Sequence, residues 1–163
     1  MSSNIRELEE KIIYTLLLGS NQGDKQRYMM AGRELLEKHG RILGASSIQE
    51  SKAWGKTDQE DFLNQVILFE SALSPQDLLE TIHDIEAALE RNRQEKWGPR
   101  TLDIDILYAG NQIVNEPNLQ IPHPLIQERL FTLILLQEIS PEFVHPVLQM
   151  SNNDLLNQLR QSS

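Results

Sequence analysis

Residues 99–108 read PRTLDIDILY, a stretch in which oily and acidic residues alternate. Leu102, Ile104 and Ile106 fall on one parity and Asp103 and Asp105 on the other, the period of two that marks a half-buried strand. A strand rises ~3.3 Å per residue, so the two aspartates project from one face with backbones ~6.6 Å apart. Two bare carboxylates ~7 Å apart repel by roughly 2.4 kcal/mol at an effective dielectric of 20. A cation between them removes that repulsion, and Mg²⁺ prefers carboxylate oxygens. Arg100 stands just before the pair, a permanent positive fork suited to phosphate. Acids and arginine together fit metal-assisted phosphoryl chemistry. Taken alone, a D-x-D is more commonly a solvated strand face.

Around this strand the chain alternates elements. Residues 12–18, IIYTLLL, are a short apolar run that suits a buried central strand. The turn cluster 19–24, GSNQGD, leads into a predicted helix over 25–39, with Gly40 as its C-cap. Residues 41–51 predict a second strand, 52–61 a polar loop, and 62–71 a third strand. Ser74, Pro75 and Asp77 form the start signal of a second helix. Leu78, Ile82, Ile85 and Leu89 then recur on one helical face up to about Glu90. After the strand at 101–108 come a hairpin-like Gly110-Asn111, a Pro-His-Pro turn at 122–124, and predicted helices over 126–139 and 153–161. The order β-α-β-β-α-β predicts an α+β fold, a ferredoxin-like antiparallel sheet with helices packed on it and additional C-terminal helices. Residues 1–10 read as a loosely ordered extension of a single domain spanning 1–163.

Composition narrows the function classes. A chain of 163 residues suffices for one domain with a substantial core. No apolar run approaches the ~20 residues of a membrane span, and acids precede the first apolar run, unlike a signal peptide. Zero cysteines excludes disulfides and thiolate metal sites and fits the cytoplasm; the four histidines lack zinc-ligand spacing. With 15 basic against 24 acidic residues, the net charge of −9 argues against a grip on nucleic-acid backbone. Yet Arg91, Arg93, Lys96 and Arg100 fall within ten residues, either a polyphosphate site or the charged end of a helix.

The ungapped stretch WGPRTLDIDILYAG, residues 97–110, closely resembles the signature of 6-hydroxymethyl-7,8-dihydropterin pyrophosphokinase, a folate-pathway family. The resemblance extends over roughly residues 12–160 and implies the same α+β fold. It implies that Asp103 and Asp105 hold two Mg²⁺ ions, with ATP as co-substrate. Leu18-Gly19-Ser20-Asn21 matches the family's first motif, and Phe62-Leu63-Asn64 its aromatic-Leu-Asn element. By resemblance, Asn64 reads the pterin amide edge, to which an Asn offers both donor and acceptor. Phe62 and Phe131 would sandwich the ring, with Asn21, Ser51 and Trp54 completing the pterin pocket. Glu86, Arg93, Lys96, Trp97, His123 and Arg129 are implied on the nucleotide side, and Arg91 and Arg100 with Asp105 in catalysis. Lys96 stands where an arginine is common, and the segment before Trp97 is one residue shorter than in some relatives. Residues 51–55, SKAWG, depart most from the family, where prolines often follow the first position.

The reaction implied is an ATP-dependent diphosphotransfer: pyrophosphate passes from ATP to 6-hydroxymethyl-7,8-dihydropterin, releasing AMP. No residue stands out as a dedicated base; Asp105, or a metal-lowered hydroxyl pKa, could serve. The loops at 52–61 and 91–97 are expected to close and exclude water. The expected partners are these two small molecules, acting on a cytoplasmic monomer with no nucleic acid and no membrane. Two other classes stand beside this reading. One is a pterin- or nucleotide-binding module that lost turnover; the other is a two-metal nuclease, which the acidic charge disfavours.

Overall fold

A computed structural model describes residues 10–51, 61–90 and 101–162. The expected N-terminal extension, the bodies of the two loops expected to close, and the basic cluster with Arg100 lie outside those residues. The strands are β1 (Ile12–Ser20), β2 (Arg41–Ala45), β3 (Gln49–Ser51), β4 (Phe62–Ser71), β5 (Asp103–Ala109), β6 (Val114–Glu116) and β7 (Leu119–Ile121). The helices are α1 (Lys25–Leu36), α2 (Pro75–Glu90), α3 (Leu130–Ile139) and α4 (Asn152–Gln161), with a 3₁₀ turn at Ile126–Glu128. The main sheet runs β2-β4-β1-β5, with β3 also on β4, and every pairing in it is antiparallel. That is the order a ferredoxin-like β-α-β-β-α-β chain gives. Strands β6 and β7 form a separate hairpin.

Each face of the sheet carries its own core. On one face Tyr14, Leu16, Leu18, Ile67, Phe69, Ile104 and Ile106 pack with Met29 and Leu36 of α1 and Leu78, Ile82 and Ile85 of α2. On the other, Leu17, Val66, Leu107 and Tyr108 pack with Leu133, Leu135 and Leu136 of α3 and Leu155 and Leu156 of α4. The added C-terminal helices therefore cover the second face and complete a three-layer arrangement. Helix α3, LFTLILLQEI, is apolar nearly all round because the sheet flanks one side and α4 the other.

Several boundaries differ from the sequence reading. Helix α1 stops at Leu36, not 39, and Gly40 is no cap. A Cβ at Gly40 would lie 2.3 Å from the Glu70 carbonyl oxygen and 2.7 Å from the Phe69 ring. The residue is glycine because β4 passes against its backbone. The expected strand 41–51 is two strands, broken where the buried Ser46 donates its backbone N–H to the Val66 carbonyl at 2.8 Å and its hydroxyl, in place of its carbonyl, accepts the Val66 N–H at 2.9 Å. The expected helix 126–139 is also broken. Its first turn closes with i→i+3 bonds, and Arg129 then turns extended (φ −112°, ψ 106°) before α3 starts. The second helix keeps its start signal: the Asp77 N–H donates to Ser74 Oγ at 3.2 Å.

A β-bulge lies opposite Thr15–Leu16, where the β1–β5 register skips Leu107. The extra residue returns Tyr108 to the same face as Leu107. There the Tyr108 hydroxyl donates to Asn152 Oδ1 at 2.8 Å, and its ring meets Phe143 and His145. His145 Nδ1 accepts the N–H groups of Val147 and Leu148 at 3.2 and 3.0 Å, which only a ring unprotonated at that nitrogen can do.

Gly40→Ala is expected to lower unfolding free energy by about 2 kcal/mol, because a fixed carbonyl blocks the new methyl; urea denaturation checks this, and an unchanged midpoint refutes it. Burial also lowers the His145 pKa below its ordinary 6.5. Its stabilisation is complete above pH 6.5 and is lost as pH falls from there through the lower folded value. His145→Asn keeps an acceptor that does not titrate. The stability lost between pH 8 and pH 5 should therefore be smaller in this variant than in the parent, and an equal loss contradicts the assignment.

Candidate active site

The site begins with a row across three strands. Gly19 of β1 pairs with Asn64 of β4 on one side and Asp103 of β5 on the other. Two residues back, Leu17 pairs with Val66 and Asp105. These residues share one sheet face, because side chains alternate with a period of two. Neighbouring strands lie ~4.8 Å apart, so the Asn64 and Asp103 backbones are separated by about 10 Å with a glycine between them. A Cβ at Gly19 would meet Asn64 Oδ1 at 3.5 Å and the Phe62 ring at 3.6 Å. Without it, the gap between amide and acid stays open.

Over this gap lies a cavity of about 390 Å³, lined by Leu17, Gly19, Ser51, Phe62, Asn64, Asp103, Asp105, Leu125, Glu128, Arg129 and Phe131. Its polar reader is preset. The Asn64 amide nitrogen donates to Ser51 Oγ at 2.7 Å, which orients the carbonyl oxygen towards Gly19. Asn64 is buried, so this orientation is held by packing as well as by the bond.

A second cavity, of about 440 Å³, wraps the outer edge of β5 between α2 and the β6–β7 hairpin. Leu79, His83, Glu86, Ile104, Ile106, Asn118, Gln120 and His123 are among its walls. Asp103 and Asp105 line this cavity too. The two carboxylates thus stand on the border of two chambers. Glu86 Oε2 accepts the N–H of Ile104 at 2.8 Å, pinning the strand backbone between them. The Thr101 hydroxyl donates to the Leu89 carbonyl at 3.3 Å, tying the end of α2 to the approach of β5. His123 is fixed by its own N–H, which donates to the Leu107 carbonyl at 3.0 Å, and by its Nδ1, which accepts from Leu125 N–H at 3.1 Å. Its neutral ring therefore carries the proton on Nε2. Burial lowers the His123 pKa; the Asp105 charge opposes this and the Arg129 charge adds to it.

The donor set suits Mg²⁺. Two carboxylates are the share a protein supplies when phosphates and water complete an octahedral shell. Among the described residues no three His, Cys, Asp or Glu side chains form a metal-holding group, as an all-protein cage would require.

The family model for 7,8-dihydro-6-hydroxymethylpterin-pyrophosphokinase (HPPK) matches residues 15–141. The chain belongs to the HPPK family. A 2-amino-4-hydroxy-6-hydroxymethyldihydropteridine pyrophosphokinase of Aquifex aeolicus is 41% identical over 130 residues, covering 80% of this chain and 81% of that protein. The enzyme of the same name from Methylorubrum extorquens is 44% identical, covering 78% and 82%. The fold matches that of the Plasmodium falciparum HPPK-DHPS crystal structure at a TM-score of 0.72 and 17% identity. That match covers 93% of this chain but only 46% of the longer Plasmodium chain.

Of the residues expected in this HPPK site, the first cavity gathers Ser51, Phe62, Asn64, Phe131 and Arg129, and the second Glu86 and His123. Arg129 falls in the chamber with the aromatic residues rather than with His123. Asn21 is buried just past β1 and lines neither cavity. Trp54, Arg91, Arg93, Lys96, Trp97 and Arg100 lie outside the described residues. Sequence reasoning passed over Leu17, Leu125 and Glu128 in the first cavity and His83, Asn118 and Gln120 in the second, and it quoted Gly19 within a motif without giving it a role in the site. Gly19 had a signal: it shares the parity of Leu17 on a central strand, where a glycine marks close approach or open space. The hairpin residues had none, because their placement beside β5 is a tertiary contact.

Glu86→Ala leaves the Ile104 N–H without its charged acceptor and is expected to destabilise the fold by about 1–2 kcal/mol. Glu86→Gln, which keeps an acceptor, should retain most of that. Equal urea midpoints for both variants would count against the clamp.

Proposed function

We propose that the whole chain acts as one ATP-dependent diphosphotransferase domain, moving pyrophosphate from ATP to the hydroxymethyl group of 6-hydroxymethyl-7,8-dihydropterin and releasing AMP. Pyrophosphate transfer to hydroxymethyldihydropterin in folate biosynthesis is the reaction of the family to which the chain belongs. The observation that carries the residue assignment is the shared border: Asp103 and Asp105 line both chambers. One chamber holds the flat acceptor, the other the nucleotide, and the acids stand where the two reacting groups meet.

In the first chamber Phe62 and Phe131 clamp the pterin faces, a contact worth about 0.5–1.5 kcal/mol beyond area burial. Asn64 presents its carbonyl oxygen to the ring edge. Ser51 Oγ, which already accepts from Asn64, donates its own proton. In the second chamber Leu79 and Ile106 offer apolar contact to the base, and Asn118 and Gln120 offer polar edges. His123 Nε2–H donates to phosphate oxygens from the second chamber, and Arg129 reaches them from the wall of the first, where it lines the same cavity as the two acids. Arg91, Arg93, Lys96, Trp97 and Arg100 complete the nucleotide side, as their match to the family implies, and Trp54 and Asn21 belong with the pterin side.

Asp103 and Asp105 would hold Mg²⁺, two ions in this reading, which would neutralise charge on the triphosphate and acidify the attacking hydroxyl. The hydroxyl oxygen bonds to the β-phosphorus in line and gives up its proton to solvent, the bond from the β-phosphorus to the α,β-bridging oxygen breaks, and AMP leaves with that oxygen. Catalysis is then chiefly positioning and stabilisation of charge on the transferred group. Among the described residues no helix is long and apolar enough to cross a membrane. We take the enzyme to be a cytoplasmic monomer.

The first test is AMP release from ATP and Mg²⁺ with and without the pterin. Pterin-dependent AMP is expected; tight pterin binding without AMP would favour an inert binding module instead. Asp105→Ala should reduce turnover at least 1,000-fold while leaving the thermal midpoint within a few degrees. Undiminished turnover would overturn the metal assignment.

A further inference from the structure

Strand β3 is three residues long, yet it carries Ser51, the partner that orients Asn64. Its ladder to β4 covers only Gln49, Glu50 and Ser51. A strand this short and at an edge needs other anchors. Ser46 supplies one, as part of the break from β2. The other comes from a distant helix. Glu138, in the last turn of α3, brackets Ser47: one carboxylate oxygen takes the Ser47 N–H at 2.5 Å and the other its hydroxyl at 2.8 Å. Ser47 Oγ in turn accepts from Gln49 Nε2 at 3.1 Å. The Gln49 carbonyl faces the Asn64 amide nitrogen at 3.4 Å, and Ser51 Oγ meets it at 2.7 Å. Polar contacts therefore run from Glu138 to Asn64, joined through Gln49, whose side-chain amide meets Ser47 and whose backbone carbonyl faces Asn64.

We propose that Glu138 is a positioning residue for pterin recognition: by bracketing Ser47 it sets where β3 lies along β4, and so the orientation of Ser51 and Asn64. The inference rests on the reading that the first chamber takes the dihydropterin. Glu138 lines neither chamber and touches no substrate. Helix α3 also carries Phe131, which lines the pterin chamber. The helix that supplies one aromatic wall thus also fixes the opposite polar edge, and the bracket keeps the two in register. The bonds are charge-assisted and bidentate but solvent-exposed, so their loss should loosen the reader rather than unfold the sheet.

The test compares Glu138→Ala, Glu138→Gln and Ser47→Ala with the parent. The readouts are KM for each substrate, kcat, and pterin affinity measured from pterin fluorescence without nucleotide. Glu138→Ala should weaken pterin binding and raise its KM by about 3- to 10-fold, with KM for ATP unchanged within about twofold. Glu138→Gln should rescue to within about twofold, since its amide can accept from the Ser47 N–H and donate to Ser47 Oγ. Ser47→Ala, which keeps the backbone arm, should shift pterin affinity in the same direction by less, and it stands as the test should Glu138→Ala not fold. Equal loss for both substrates would mean a merely structural role, and unchanged pterin affinity in Glu138→Ala would end the proposal. A parent protein that turns over ATP with pterin but ignores Glu138→Ala overturns this inference alone. A parent that neither binds nor uses pterin overturns the functional reading beneath it as well.

Discussion

Everything at the site depends on how β5 is laid against β1. The pairing of Gly19 with Asp103 and of Leu17 with Asp105 puts both acids on the cavity face and sends Ile104 and Ile106 into the core beneath α1 and α2. Because side chains alternate, a slip of one residue would exchange these sets. Two carboxylates would then face a core of Leu16, Leu18 and Ile82, and isoleucines would face the cavity. Burying an unpaired carboxylate costs several kcal/mol, so the alternative register is not competitive. The same hydrophobic pattern that folds the sheet therefore positions the acids.

Beyond Ile106 the alternation has to fail for the C-terminal helices to dock. Strict alternation would send Tyr108 into the α1–α2 core and bring Ala109 to the other face. The bulge at Leu107 reverses this: Tyr108 reaches Asn152 at the start of α4, and small Ala109 is buried on the α1–α2 side. Asn152 Nδ2 donates to the Ser140 carbonyl at the end of α3 at 2.9 Å. One tyrosine thus anchors both C-terminal helices to the strand that carries the acids. The tyrosine hydroxyl, whose pKa burial raises, stays a neutral donor. These helices are accordingly part of the site's framework, not an appendage to a ferredoxin-like core.

This history explains what could be read in advance. The continuous β4 and the α2 start were legible because apolar period, Ser74 and Pro75 all act locally. The order of elements gave the sheet, since few antiparallel topologies satisfy it. Ser46, Arg129 and the Leu107 bulge were not legible, because each irregularity answers a partner far along the chain: Val66 for Ser46, the cavity wall for Arg129, Asn152 for Tyr108. Gly40 misled for the same reason, as a glycine after a helix looks like a cap until β4 is seen behind it. Within the site, the motif at 97–110 named the acids, and Gly19 stood in the motif at 18–21, but its place as the open floor beside them came from the three-strand register.

The two chambers also differ in how they are made, and each construction suits the ligand proposed for it. The first is built by a sheet face and α3, with its polar edge preset by the buried Asn64 amide. Such a site suits a flat, neutral molecule whose recognition depends on fixed donors and acceptors, because a buried reader left unpaired penalises a wrong ligand. The second is built on a strand edge, where among the described residues no strand pairs with the outer side of β5 and its backbone is met instead by Glu86 and His123. An open edge leaves room for a long, charged ligand and for the cations that accompany it. A carboxylate pair buried wholly in the first chamber would suffer desolvation; one exposed wholly in the second would be screened from the acceptor. Placed on the border, half-buried Asp103 and Asp105 avoid both costs.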